Sequence, residues 1–279
     1  VNTIYGDYQN LGGFYIPIAI VSYTFQLYMD FSGCMDIVLG IAQTFGITLP
    51  ENFTLPFSSR SIAEYWRKWH ITLGIWLKEY LFYPLLRTPF FMELPGKLKP
   101  RLGKKRAKQI TTFAAMLILW FVIGLWHGNN WTFVIGSGLL HWFYIVCGEA
   151  FEPLFAKLRK GFRVDKYPKL FGLFQKARTF LLVCFGLLFF RAANLAEAFR
   201  MIRQAFMVWN PQILFDGSLL NLGLDAIEIV VVIVSLLIYY FVTLIQKRQP
   251  LRVWLAGRPL LIRWGLLYMA IFYVILLGY

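Results

Sequence analysis

Long apolar runs constrain this sequence more than any other feature. They cover residues 12–29, 110–126, 131–149, 226–245 and 260–279, and a further run over 179–195 is interrupted by Arg191. A helix needs about 20 mainly apolar residues to cross a hydrocarbon core. Because unpaired backbone amides are costly in lipid, such runs cross as helices. The sequence therefore predicts an all-α, multi-pass integral membrane protein, with a shorter apolar helix over residues 34–47.

The composition excludes soluble and disordered classes of protein. Hydrophobic side chains make up 58% of the chain and charged ones only 15%, whereas soluble domains average about 25% charged. No internal repeat or long linker divides the sequence, so we expect one transmembrane domain over residues 1–279. The chain starts at Val1 and stops inside an apolar run, and we interpret it as a fragment of a longer protein.

Basic residues concentrate in three connecting segments. Residues 97–108 carry seven bases and no acid, residues 157–178 carry eight bases and one acid, and residues 247–263 carry five bases and no acid. The positive-inside rule places these loops in the cytoplasm, and His127 and the segment 196–225 toward the outside. The net charge of +14 then reflects topology and contact with anionic lipid rather than a nucleic-acid partner.

His127 is the sharpest candidate for chemistry. It ends the run 110–126, between glycines and amides, in the sequence GLWHGNNW. An ionisable group at such a depth is costly to bury, which makes it a functional candidate, and a neutral imidazole there can act as a general base. The alternative is a structural histidine bonded to a neighbouring helix. His141, on the next run, is interpreted as a packing partner or as a residue that supports the catalytic one.

His70 lies in an amphipathic pattern. Ser61 and Glu64 have capping-box spacing, and the helix expected to follow places on one face Ile62, Trp66, Trp69, Leu73, Trp76 and Tyr80. Such a helix lies at the membrane interface with its tryptophans at headgroup level. From this pattern alone, His70 belongs to the interfacial belt.

Other polar residues in apolar surroundings leave alternatives open. Asp30 and Asp36 could serve as acid and base or bind a cation, but we favour capping of a broken helix that restarts near residue 34. Arg191 either snorkels outward or pairs with a buried acid. No metal-binding spacing occurs, and the three cysteines are expected to be small buried residues: Cys34, Cys147 and Cys184.

Several separated motifs resemble those of the membrane-bound O-acyltransferases. They are YTFQLYMDFSG at 23–33, PENFTLPFSSRSI at 50–62, YWRKWHI at 65–71, GLWHGNNWTF at 124–133 and FFRA at 189–192. The likeness is strongest to the alginate O-acetyltransferase branch and weaker to the D-alanyl transferases of teichoic acid. It covers roughly residues 15–205.

The resemblance implies a function and a site. His127 would be the catalytic histidine and His70 its second polar partner, and further N-terminal spans would precede this fragment. The enzyme would move an acetyl or other short acyl group from a cytoplasmic thioester, acetyl-CoA, to a hydroxyl. That hydroxyl would belong to an extracytoplasmic surface polysaccharide or to a relay partner protein.

In this mechanism His127 takes the hydroxyl proton, and Asn129 or Asn130 stabilises the oxyanion. His70 orients the donor or assists proton transfer. Further candidates for substrate binding are Trp126, Arg67 and Trp69.

The rival interpretation is a transporter or flippase with a buried polar path. Asp30, Asp36, Arg191 and the histidines would line it. Many transporters show repeat symmetry, which this sequence lacks, and His70 and His127 lie in helices of different character. A third possibility is a scaffold that recruits a soluble acyltransferase, in which His127 is replaceable by Gln.

Overall fold

The computed structural model describes residues 1–223, 225–249 and 251–277. These residues form fourteen α-helices: α1 (Asn2–Gly6), α2 (Tyr15–Thr44), α3 (Ile62–Trp66), α4 (Ile71–Leu77), α5 (Tyr83–Leu86), α6 (Pro89–His127), α7 (Trp131–Phe133), α8 (Leu140–Ala150), α9 (Glu152–Gly161), α10 (Pro168–Arg191), α11 (Leu195–Met207), α12 (Ala226–Gln246), α13 (Leu251–Ala256) and α14 (Leu260–Leu277). Two π-helical segments, Lys78–Phe82 and Val134–Leu139, join α4 to α5 and α7 to α8. The predicted all-α class is confirmed.

Five helices of the described part are long and apolar enough to cross a membrane: Pro89–His127, Trp131–Ala150, Pro168–Arg191, Ala226–Gln246 and Leu260–Leu277. They confirm a multi-pass membrane protein. The predicted run over residues 12–29 forms part of α2, but α2 is not among the five, because Gln26, Asp30 and Asp36 interrupt its apolar sequence.

The helix break predicted near residue 34 is wrong. α2 runs for 30 residues without interruption, so Asp30 and Asp36 lie on the exposed side of a continuous helix and cap nothing. Its other side packs through buried Ile16, Thr24 and Tyr28, and this tertiary contact outweighs the weak helix propensity of the Ser-Gly pair. Cys34 is exposed on the same helix, against the prediction, whereas Cys184 is buried.

The basic segment 97–108 is helical rather than a loop. It lies within α6, which departs from helical geometry at Gly103, where φ is 75° and ψ is 161°. Glycine adopts this positive φ without the clash that a Cβ would cause. The basic residues therefore extend from two helical stretches that meet at a sharp change of direction.

Glycines let three segments approach backbone to backbone. A Cβ on Gly138 would lie 2.4 Å from the Trp120 carbonyl oxygen, and a Cβ on Gly124 would lie 2.5 Å from Val134 Cα. A Cβ on Gly136 would lie 2.6 Å from the carbonyl oxygen of Gly186 in α10. Small residues at helix contacts are a common means of association in membranes. Together these contacts hold the last turns of α6 against the segment 134–139, and that segment against α10.

The chain divides into two compact units, Val1–Pro211 and Gln212–Tyr279. The second contains α12, whose first turn has a capping box formed by Asp225 and Glu228. The Ser235 and Tyr273 hydroxyls lie 2.7 Å apart and join α12 to α14. A single domain over residues 1–279 stays a prediction.

Substitution of a contact glycine tests this packing. We expect Gly124→Ala to lower the free energy of unfolding by about 1–3 kcal/mol, because the added methyl overlaps backbone that cannot move aside easily. Gly148→Ala, in α8, is the matched control. A Cβ at residue 148 meets nothing within 4 Å, so the control should be neutral or stabilising. Thermal unfolding of the detergent-solubilised protein measures both, and equal midpoints for Gly124→Ala and wild type would contradict the packing described.

Candidate active site

His127 ends α6 with a buried nitrogen that has no protein partner. Its ring packs edge-on against Trp126, with centroids 5.0 Å apart, and against Phe190 of α10, at 5.5 Å. Nε2 is buried and makes no hydrogen bond to any described residue. Buried polar atoms are normally hydrogen-bonded. This orphaned nitrogen does not fit a structural histidine bonded to a neighbouring helix through Nε2, and it leaves Nε2 able to accept a bond from a bound molecule.

The turn after His127 is tied to the end of α10. A Cβ on Gly128 would lie 2.5 Å from the Phe133 ring, so the close packing of this turn requires glycine. The Asn130 side chain caps α7 by accepting the Thr132 N–H at 3.3 Å, and its Nδ2 donates to the Ala193 carbonyl oxygen at 2.9 Å. These bonds give Asn130 a positioning role, and its predicted role in stabilising an oxyanion stays a prediction.

His70 interrupts the amphipathic helix that its sequence predicts. α3 ends at Trp66, α4 begins at Ile71, and His70 between them has φ 47° and ψ 52°. The expected single apolar face is therefore wrong: Leu77 is buried, whereas Trp76 and Tyr80 are exposed. Non-glycine residues in this left-handed region persist where the surroundings hold them, which occurs frequently at functional sites.

Only one of the two hydrogen bonds of the predicted Ser61–Glu64 capping box forms. The Ser61 hydroxyl accepts the Glu64 N–H at 3.1 Å. The Glu64 carboxylate accepts the N–H of Arg60, at 2.8 Å, rather than that of Ser61. Glu64 also pairs with Lys68, which explains why its carboxylate turns away from the cap.

Asn52 holds His70 in its left-handed turn. The Asn52 side chain is buried, and its carbonyl oxygen accepts the Thr72 hydroxyl at 2.6 Å and lies 3.2 Å from His70 Nδ1. The Asn52 backbone carbonyl also accepts the Ile71 N–H at 3.1 Å. Since an amide oxygen only accepts, Nδ1 of His70 is the donor and its Nε2 keeps a free lone pair. Burial lowers the pKa of His70 below its ordinary value of 6.5, which favours this neutral form at pH 7.

Trp126 brings the two predicted catalytic histidines together. The centroid of its indole lies 5.7 Å from that of His70 and 5.0 Å from that of His127. Trp126 is 57% exposed, so the site includes an accessible aromatic surface between two imidazoles.

The remaining predicted substrate-binding residues lie in different surroundings. Asn129 and Arg67 are exposed. Trp69 is buried, stacks on Tyr65 with centroids 5.5 Å apart, and contacts Phe53, which favours a packing role. Binding roles for all three stay predictions.

Arg191 does not join the candidate site. Its guanidinium donates to the Asn2 side chain at 2.9 Å and lies 5.3 Å from the centroid of the Tyr5 ring. Within the described ranges it has no carboxylate partner, so the predicted alternative of a buried ion pair is not realised there. The same ranges contain no group of three or more His, Cys, Asp or Glu that could hold a metal ion.

Two residues important to the site are not singled out by the sequence. Asn52 lies inside the motif 50–62, where its only distinguishing sign is an amide between glutamate and phenylalanine. Phe190 lies in the short motif at 189–192, whose arginine attracts more attention. Their contacts with His70 and His127 join residues far apart in the chain, which no local pattern shows.

The chain is similar to known membrane acyltransferases. Residues 11–93 match the model of the membrane-bound O-acyltransferase family, MBOAT. The probable alginate O-acetylase AlgI of Azotobacter vinelandii is 31% identical over 78% of this chain and 38% of its own length. The peptidoglycan O-acetyltransferase of Helicobacter pylori is 35% identical over 66% of this chain and 30% of its own length. The teichoic acid D-alanyltransferase of Bacillus subtilis is 29% identical over 60% of this chain and 39% of its own length.

The fold and the site define a class: a polytopic helical membrane protein with two histidines converging on one indole. The sequence matches described above identify one family within this class. The chain belongs to the membrane-bound O-acyltransferase family. It spans less than two fifths of the length of the first two relatives named.

The hydrogen bond from His70 to Asn52 predicts its tautomer. At pH 7 we expect a neutral ring protonated on Nδ1, and Asn52→Leu should abolish this preference because the acceptor is gone. Nitrogen-15 NMR of labelled histidine distinguishes the tautomers, and Asn129→Leu is the control for loss of an exposed amide. Because the folded pKa of His70 is lowered, the unfolded chain binds the proton more readily, and His70 should reduce stability as the pH falls below 6.5. A ring protonated on Nε2 in wild type would contradict the assignment.

Proposed function

We propose that the protein of which this chain is part is an O-acyltransferase. It moves an acetyl or similar short acyl group from a cytoplasmic thioester, acetyl-CoA, to a hydroxyl outside the membrane. The observation that carries the proposal is the buried, unpartnered Nε2 of His127 beside the exposed indole that His70 also contacts. Acyl transfer to an alcohol needs a base that can take the hydroxyl proton, and a neutral imidazole is the side chain best suited to that task near pH 7.

In the proposed reaction Nε2 of His127 accepts the proton of the acceptor hydroxyl. The hydroxyl oxygen attacks the thioester carbonyl carbon, and a tetrahedral oxyanion forms. When the intermediate collapses, the carbon–sulfur bond breaks and the thiolate takes the proton back from the imidazolium. One ester forms, one thiol is released, and His127 returns to its neutral state.

Three other side chains have supporting roles in this proposal. His70 faces the same indole as His127, and its free Nε2 orients the donor by accepting a hydrogen bond. Trp126 provides the apolar surface on which the thioester lies. Exposed Asn129 can donate its amide to the oxyanion, as preorganised donors do in other acyl transfers.

The acceptor is proposed from the relatives. Their names describe transfer to alginate, peptidoglycan and teichoic acid, which are all polymers of the cell envelope. We propose a surface polysaccharide as the final acceptor, reached directly or through an extracytoplasmic relay protein that carries the acyl group. The basic cytoplasmic segments attract the phosphates of acetyl-CoA to the opposite side of the membrane.

Replacement of His127 tests the mechanism. In the full-length protein, His127→Gln keeps much of the size and hydrogen-bonding capacity of the ring but removes the base. Transfer of labelled acetyl groups should fall by about 10²- to 10⁴-fold. His141→Gln is the matched control, because His141 is buried between Trp66 and Trp120 and has no role in the proposed chemistry. Size-exclusion profiles establish that both variants fold.

The outcomes separate the competing functions. A scaffold that recruits another acyltransferase would leave the His127→Gln rate unchanged. A transporter would show no hydrolysis of the thioester when the acceptor is omitted, whereas a transferase with a slow water reaction would. Unchanged transfer in His127→Gln would exclude the proposed role of this histidine.

A further inference from the structure

A large cavity lies apart from the candidate active site. Its volume is about 1120 Å³, and it is a half-open cavity lined mainly by residues 60–63, the C-terminal half of α8, α9, and the N-terminal half of α10. None of the predicted catalytic or substrate-binding residues lines it. Its walls are mainly apolar and include Ile62, Tyr144, Phe155, Phe162, Phe174 and Leu182. The cavity therefore suits a ligand with a substantial hydrocarbon part.

Two arginines line this cavity near residue 60, and the side chain of one contacts the backbone of the other. Arg178 Nη2 donates to the Arg60 carbonyl oxygen at 2.8 Å, and the Arg60 guanidinium lies against α10, where a Cβ on Gly172 would be 3.7 Å from it. Neither arginine forms an ion pair with a described carboxylate. Guanidinium groups bind phosphate through paired hydrogen bonds, so this side of the cavity fits an anionic headgroup.

The acidic residues of the lining do not neutralise this pair. Glu152 is bound to Arg159, and Glu149 forms no ion pair within the described ranges. The guanidinium groups of Arg60 and Arg178 thus form no ion pair with either acid of the lining.

The charge pattern of the sequence places the cavity near the cytoplasmic lipid headgroups. Part of its wall belongs to the basic segment 157–178, which the charge pattern places on the cytoplasmic side. α9 presents exposed apolar side chains at Leu154 and Leu158 together with lysines, as helices at a membrane interface do. Anionic lipids accumulate in the cytoplasmic leaflet and are attracted to such basic surfaces.

We propose that this cavity binds an anionic phospholipid of the inner leaflet. Its phosphate lies between Arg60 and Arg178, and an acyl chain fills the space between α8, α9 and α10. The nucleotide of acetyl-CoA is a poorer fit, because the aromatic and aliphatic walls offer few partners for its polar groups. The lipid joins α9 and α10 to the residues before α3, independently of the chemistry at His127.

Photo-crosslinking tests the proposal in the full-length protein, reconstituted in nanodiscs with a phosphatidylglycerol that carries a diazirine in one acyl chain. The double variant Arg60→Gln, Arg178→Gln should reduce crosslinking to α8–α10 by about tenfold or more, since the guanidinium hydrogen bonds to the phosphate are lost. The matched control is the double variant Lys169→Gln, Lys176→Gln. It also removes two positive charges, but from positions of α10 that do not line the cavity. It should retain the wild-type yield.

Gly148→Phe tests the apolar part separately. Residue 148 lines the cavity and has open space at its Cβ position, so the new ring should fill the cavity and exclude the acyl chain without disturbing the fold. Crosslinking should again fall about tenfold, because the excluded lipid acyl chain no longer buries its apolar surface in the cavity. This variant leaves both arginines in place, so it remains informative if the double variant folds poorly.

Cys147 provides a readout that needs no substitution. It lines the cavity, whereas Cys34 is exposed elsewhere. Phosphatidylglycerol should slow alkylation of Cys147 and leave Cys34 unchanged, as measured on proteolytic peptides. Equal crosslinking by phosphatidylcholine, unchanged yields in both cavity variants, or displacement of the lipid by coenzyme A would each overturn the proposal. None of these results bears on acyl transfer by His127.

Discussion

Backbone-to-backbone contact between glycines is the constraint on which the first unit depends. At Gly124 and Gly138, and again at Gly136 and Gly186, a single added carbon would overlap main-chain atoms of the neighbouring segment. In lipid there is little hydrophobic gain from helix association, so close van der Waals contact has to supply the stability. These contacts fix the end of α6 relative to α10, and the position of His127 against Phe190 follows from them.

The second requirement of the site is a buried amide. Asn52 uses one carbonyl oxygen to hold both His70 and Thr72, and this bond stabilises a backbone conformation that histidine adopts only at some energetic cost. The glycine contacts thus place one imidazole and the amide places the other. The glycine contacts and the Asn52 amide are unrelated features, yet both place an imidazole against Trp126. This supports a functional rather than a packing interpretation of the two imidazoles.

Local patterns predict the long spans well, because an apolar run of helical length is a property of neighbouring residues. They fail where distant residues decide. The break at His70 depends on Asn52, 18 residues away, and periodicity alone extends the helix through it. The continuity of α2 depends on packing at Thr24 and Tyr28, which outweighs the capping pattern around Asp30. The roles of His70 and His127 were suggested by resemblance, whereas their meeting at Trp126 is a tertiary contact that no spacing encodes.

The shared indole also limits how the two histidines can cooperate. An aromatic face has no lone pair or acidic hydrogen in line between the rings, so it cannot serve as a link in a proton wire. A proton gained by one imidazole has no direct route to the other across Trp126. Proton exchange between the imidazoles would need a bound molecule other than the indole, and the proposed reaction, in which His127 both takes the proton and returns it, requires no transfer between the rings.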